Sequence, residues 1–213
     1  MISYASPFFI EISGKRFWVE AIAPGPGTGP DTVPPPKYGG LEMQPIPTEK
    51  IILRLTNAMD VKLKKYDEDK KKGRMQPEDG FILAANGNKA VNRWHEATDD
   101  LPFMVKAVLP FGPQYFSWDT NTGEIVEGFA YRPEISKEKG ALVSTCWLQL
   151  EKLKGISLIV YSEKGILDLP QSMGSEFIFI HNRQASQPLN LDTFKFGRHF
   201  WLESDQLKHK TYA

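Results

Sequence analysis

The 213-residue chain is 41% hydrophobic and 12% aromatic, enough apolar material for one or at most two packed cores, which excludes a disordered tail, a collagenous repeat and a minimal disulfide scaffold. Lysine plus arginine and aspartate plus glutamate number 26 each, so no whole-chain field draws nucleic acid or an anionic membrane, and any such binding must come from a local patch. Cys146 is the only cysteine, which excludes an intrachain disulfide and a cysteine-rich zinc site and points to a reducing, cytoplasmic compartment; no stretch reaches the ~18 apolar residues of a membrane span.

Phe8 to Ile12 and Arg16 to Ile22 are β-rich runs on either side of Ser13-Gly14-Lys15, a pattern that predicts a hairpin with a three-residue loop. Ala23 to Gly40 then holds 11 Pro or Gly in 18 residues. That composition supports neither a helix nor a central strand, so residues 23–46 read as a surface loop. Its Gly25, Gly27 and Gly29 invite comparison with a phosphate-binding loop. Pro24, Pro26 and Pro30, however, have no amide hydrogen to donate, and no Gly-Lys-Ser/Thr follows.

Thr48 is the expected N-cap of a long helix, with Glu49 at its positive end and Gly73 as its stop. Between them Ile51, Ile52, Leu55, Ala58, Met59, Leu63 and Tyr66 recur at helical spacing, which predicts one buried side. Phe81 to Ala85, between turn residues, reads as a short buried strand. Asn92 to His95 and Phe103 to Leu109 read as short helices, and Gln114 to Trp118 with Glu124 to Tyr131 as a second hairpin. Leu142 to Leu148, Ile156 to Tyr161 and Phe177 to His181 are further strands. With no repeat and no linker, residues 1–213 are expected to form one α/β domain around a mixed sheet, a long helix following an N-terminal β-hairpin.

Glu20 stands among Phe17, Trp18, Val19 and Ile22 on a strand that should be largely buried. A carboxylate there either reaches water or an arginine from an edge strand, or is a metal ligand or catalytic acid. Lys62 lies in the apolar stripe of the long helix, between Met59 and Tyr66, with Arg54 two turns earlier. Such a lysine either snorkels to solvent or is aimed at a carboxylate site. The basic run Lys62, Lys64, Lys65, Lys70, Lys71, Lys72 and Arg74 is set among Asp60, Asp67, Glu68 and Asp69, the mark of a solvated, salt-bridged face as much as of a phosphate-contacting patch. His95-Glu96 with Asp99 and Asp100 fits no zinc spacing, and His181-Asn182 ends a strand, where either a polar turn or a sheet-based site is found. No nucleophile elbow or dinucleotide fingerprint occurs.

Pro7-Phe8-Phe9, the Gly14-Lys15 turn, Phe17-Trp18-Val19-Glu20-Ala21 and the helix with Arg54-Leu55-Thr56, Ala58 and Lys62 resemble the restriction-endonuclease-like PD-(D/E)xK superfamily, in an uncharacterised bacterial branch. The resemblance implies a metal-dependent nuclease: a carboxylate pair on the hairpin holds Mg²⁺ or Mn²⁺ while a lysine positions the attacking water. Carried onto this chain, it makes Glu20 the metal ligand and catalytic carboxylate, Lys62 the catalytic lysine, and Arg54, Lys65, His181 and Asn182 the candidates for contact with a nucleic acid. Two departures are visible. Phe8 stands where the family has its aspartate, opposite Glu20 if the loop has three residues, and Ile22 stands where its lysine would be. A non-catalytic binding module on the same fold is therefore the alternative.

Overall fold

The computed structural model describes residues 8–35, 45–91, 101–165, 167–168, 170 and 172–212. Strands β1 (Phe8–Ile12) and β2 (Lys15–Ile22) form the first hairpin. Its loop is one residue shorter than expected: Lys15 pairs with Ile12, and Ser13 and Gly14 turn the chain with φ of 52° and 73°. Two consecutive left-handed residues make the tight turn that matches strand twist, and Gly14 takes that conformation without strain. The shortening moves the whole register by one, so Phe8 pairs with Val19 and not with Glu20.

Helix α1 (Thr48–Lys71) fills the crossover from β2 to β3 (Gly80–Asn86), which pairs parallel to β2. Thr48 is not the N-cap. Pro47 occupies that place, its carbonyl accepting from the Ile51 amide, and no side chain caps the helix. Ile51, Ile52, Leu55, Met59, Leu63 and Tyr66 are all buried, as the spacing predicts.

After β3 come α2 (Phe103–Val108), the ribbon β4 (Phe111–Trp118) with β5 (Ile125–Tyr131), and the small pair β6 (Glu134–Ser136) with β7 (Leu142–Ser144). The expected strand from Leu142 to Leu148 stops at Ser144, because Trp147–Gln149 turns into a 3₁₀ segment that buries Trp147 and Leu148. Strands β8 (Ile156–Ser162), β9 (Ile178–His181), β10 (Gly197–Glu203) and β11 (Gln206–Tyr212) complete the molecule. The helix expected at Asn92 to His95, and His95, Glu96, Asp99 and Asp100, lie outside the described residues.

The main sheet has seven strands in the order β1-β2-β3-β8-β9-β10-β11, mixing parallel and antiparallel pairs. Alternation along each strand divides the core in two. Trp18 and Ile22 of β2 share one face with Phe81 and Leu83 of β3, and α1 and α2 pack there. Phe17 and Val19 point the other way, with Ile82, Leu158, Phe179 and Leu189. The described part of the Pro/Gly segment, residues 23–35, carries no helix or strand, although Val33 buries against α1's side of the core. No described helix is long and apolar enough to cross a membrane.

Candidate functional site

Glu20 falls on the face of β2 that α1 covers, because it shares the parity of Trp18 and Ile22. The strand is interior, flanked by β1 and β3, so the edge-strand account of Glu20 does not hold. Its residue is 2% exposed and Lys62 8%. The Lys62 Nζ donates to Glu20 Oε1 at 2.6 Å, and the Lys65 Nζ donates to the same oxygen at 3.0 Å. One turn of α1 thus presents two ammonium groups to one carboxylate on the strand beneath it. Burial of either partner alone would cost several kcal/mol of order, so the stripe lysine and the strand glutamate explain each other.

The site is graded toward solvent. The Lys62 side chain is 10% exposed and that of Lys65 is 35% exposed. Lys65 is the solvent-facing member of the cluster. Three more members of the basic run are paired elsewhere on the helix surface: Lys64 with Asp60 at 2.9 Å, Lys72 with Glu68 at 3.6 Å and Arg74 with Asp69 at 2.8 Å. That is the solvated, salt-bridged reading of these charges.

The other sequence candidates lie apart. Arg54 turns to the Pro/Gly segment, its Nε donating to the Gly25 carbonyl at 3.1 Å. Gly27 permits this approach, since a Cβ there would stand 2.7 Å from the Arg54 Nε. His181 belongs to β9, three inter-strand spacings or roughly 14 Å from β2. It also shares the parity of Phe179, which places it on the opposite face of the sheet from Glu20. Asn182 ties local backbone together, donating to the Ile156 carbonyl at 2.9 Å and accepting from the Gln184 amide at 3.0 Å.

His181 has a partner that the sequence reading missed. Its Nε2 lies 2.9 Å from Nδ1 of His199, whose Nε2 is 3.0 Å from the Phe196 carbonyl. A carbonyl only accepts, so His199 carries its proton on Nε2 and accepts from His181 at Nδ1. Both rings are neutral in this chain of bonds. Burial, then the neighbouring His199 and Arg183, pushes the His181 pKa down to about 3. Phe179 stacks on His199 at 4.6 Å between ring centroids, which makes the pair part of an aromatic core.

Asp79, also missed, is the second buried carboxylate along β2. Its Oδ1 accepts from Arg16 Nε at 2.8 Å, and its Oδ2 accepts from Trp18 Nε1 and the Gln76 amide, each at 2.8 Å. Burial alone would raise its pKa, but these donors outweigh it and hold the carboxyl below the ordinary aspartate range.

The residues gathered at Glu20 were also tested against a divalent ion. Among the described residues no group of three or more His, Cys, Asp or Glu is placed to hold a metal. Mg²⁺ wants near-octahedral oxygen ligands, commonly one or two carboxylates with waters. Glu20 instead has ammonium groups on its Oε1. Phe8 does not stand in for a lost partner: paired with Val19, it shares Val19's face and points away from the Glu20 carboxylate. The described donor set does not fit the ion.

Fold and site together define a mixed α/β protein with a large mixed sheet, few helices and a buried carboxylate–lysine cluster under its long helix. Comparisons with protein families, with curated proteins and with solved structures find no match to this chain.

Proposed function

We propose that the protein is a nuclease-like phosphodiester-binding domain in which Lys65 and Lys62, set against Glu20, receive the phosphate of a nucleic acid. The observation that carries this reading is the convergence of both ammonium groups on Glu20 Oε1, at 2.6 Å and 3.0 Å, from a helix onto an interior strand. The resemblance to restriction-endonuclease-like proteins implies a strand carboxylate with a lysine two residues on; Ile22 stands there in this chain, and Lys62 reaches the carboxylate from the helix instead. The charge and the partial exposure of Lys65 suit it to an anion arriving from solvent.

Hydrolysis with Mg²⁺ or Mn²⁺ is the second reading, favoured by the same Glu20–Lys62 proximity. It ranks lower because the described residues offer no donor set for the ion. No step through a metal is therefore derived, and the non-catalytic binding module is the form of the proposal that the geometry supports best.

The test is binding of single- and double-stranded DNA and RNA oligonucleotides by fluorescence polarisation at two salt concentrations, with cleavage followed in parallel with Mn²⁺. Wild type is compared with Lys65→Ala, Lys62→Met and Glu20→Gln, each checked by thermal melting. Salt-sensitive binding that weakens several-fold in Lys65→Ala supports the phosphate site. Cleavage lost in Glu20→Gln and Lys62→Met would promote the hydrolytic reading. Neither binding nor cleavage by folded wild type would sink both, and would leave the cluster as a pin between helix and sheet.

A further inference from the structure

A cavity of about 750 Å³ opens between the β4–β5 ribbon and the β10–β11 hairpin, remote from the Glu20 cluster in the strand order. Phe111, Phe129, Phe200 and Leu207 give it apolar walls, and Tyr115 closes one side. Each wall has a local cause. Phe111 and Phe129 pack edge to face at 6.3 Å. Phe200 pairs with His209 across β10 and β11, their rings 6.1 Å apart at 29°. Gly128 lets the Tyr115 ring lie across the ribbon, since a Cβ there would meet the Tyr115 hydroxyl at 2.8 Å. The volume lies in the range of roughly 300–1,000 Å³ that small organic ligands fill, and an apolar body with a few polar groups is the usual make-up of such a site.

Arg198 supplies the polar end. Among the described residues it is the only Lys or Arg lining the cavity, and its guanidinium makes no hydrogen bond or ion pair with them. Burial pushes the Glu163 carboxyl up, while the charge of Arg198 pulls it back down. The acids in the lining are Glu127 on β5 and Asp205. Asp205 sits in the turn that joins β10 to β11, at the other end of the hairpin from Arg198, which pairs with Thr211. At about 3.3 Å per residue the two are roughly 20 Å apart along the ribbon. Arg198 and Asp205 thus stand at opposite ends of the β10–β11 wall.

We infer that this cavity is a binding site for a small amphiphilic anion, an apolar or aromatic body seated between Phe129 and Phe200 with its carboxylate, sulfonate or phosphate on Arg198. A planar guanidinium with unused donors grips such a group in bidentate fashion. The apolar walls then supply the larger share of the burial.

The probe is 8-anilinonaphthalene-1-sulfonate, an aromatic anion whose fluorescence rises on burial, set against N-phenyl-1-naphthylamine, the same body without the sulfonate. Wild type is expected to bind the anion saturably at one site and to prefer it over the neutral probe by roughly ten- to hundredfold, the range of a charge-assisted hydrogen bond. In Arg198→Gln that preference should vanish while the melting curve stays put, because Arg198 is exposed. The control is the double variant Phe116→Ser, Trp118→Ser. It strips exposed aromatics of the same ribbon that do not line the cavity, and it should leave the titration unchanged. Equal affinity for the two probes in wild type, an unaltered preference in Arg198→Gln, or loss of binding in the control would each overturn the assignment.

Discussion

Asp79 and Glu20 are both buried carboxylates set against β2, at 5% and 2% exposure, yet their partners differ in kind. Asp79 uses both oxygens, and its donors are an Arg16 Nε, an indole N–H and a backbone amide. Each of these is directional, and two come from planar groups. Glu20 takes two lysine ammonium groups on a single oxygen, from long side chains, one of them at the surface. The first arrangement locks the entry of β3 against β2. The second leaves mobile positive charge beside a carboxylate, which is why the Glu20 cluster, and not Asp79, is the candidate for contact with a ligand.

The largest effect is expected from Glu20→Ala. It removes the shortest ionic partner of a Lys62 ammonium that is nearly enclosed, and breaking a buried pair from one side costs about 3–5 kcal/mol. A double variant, Glu20→Leu with Lys62→Met, should recover most of the loss, since an apolar pair of similar volume carries no charge to desolvate. Urea unfolding of the three proteins checks this. A double variant as unstable as the single one would show that the pair does more for the fold than balance its own burial.

The long helix, the first hairpin and the burial of Glu20 and Lys62 were legible in the sequence, the last two from a contrast of polarity against period: one carboxylate in an apolar strand, one lysine in an apolar stripe. The hairpin register was not legible. Ser13 adopts a left-handed φ of 52°, and a serine there looks like an ordinary loop residue. The β10–β11 hairpin escaped for the same reason, since Ser204 and Asp205 take φ of 50° and 60° without a glycine to announce the turn. Its outer strand, Gln206–Tyr212, is also an edge strand carrying Lys208 and Lys210, with no continuous apolar side. The His181–His199 and Arg16–Asp79 pairs join residues 18 and 63 positions apart. Local spacing holds no trace of the longer of these.

Asp79→Asn should be the next largest change. Three donors lose a charged acceptor, and one of them meets an N–H in place of an oxygen, for a loss of about 2–3 kcal/mol and a fall in melting temperature of roughly 4–12 °C. The carboxyl is depressed in the fold. Its contribution is therefore full above the unfolded aspartate pKa and disappears as pH falls through the lower folded value. The difference between wild type and Asp79→Asn should accordingly shrink below about pH 4. A gap that persists undiminished at lower pH would assign the effect to packing, not to the charge.

Between the titration of Asp79 and neutrality lies a window that belongs to the histidines. His181 is held near pKa 3 in the fold, while an unfolded chain protonates it near pH 6.5. The unfolded state then binds more protons below that value, so stability is full above pH 6.5 and declines as pH falls. From pH 7.5 to pH 5 the loss should be about 2 kcal/mol, above the range in which Asp79 titrates. His199, also pushed down by burial, adds in the same direction. His181→Gln should flatten the decline, and stability independent of pH over this range in wild type would contradict the neutral paired state.

Phe8→Asp bears on the comparison from the other side, by adding a carboxylate to the strand next to Glu20. If the hairpin loop had three residues, the new group would face Glu20 and complete a pair able to hold a divalent ion. With the loop at two residues, Phe8 pairs with Val19. Its side chain lies on the face away from α1, and the residue is 56% exposed at the edge of the sheet. An exposed edge substitution of this kind should move stability by less than about 0.5 kcal/mol. Mn²⁺ titration followed by calorimetry should read the same for wild type and variant. A gain in affinity confined to Phe8→Asp would mean that the register slips in solution to bring residue 8 beside Glu20, and the two-residue turn at Ser13 and Gly14 would then not be the ground state of the hairpin.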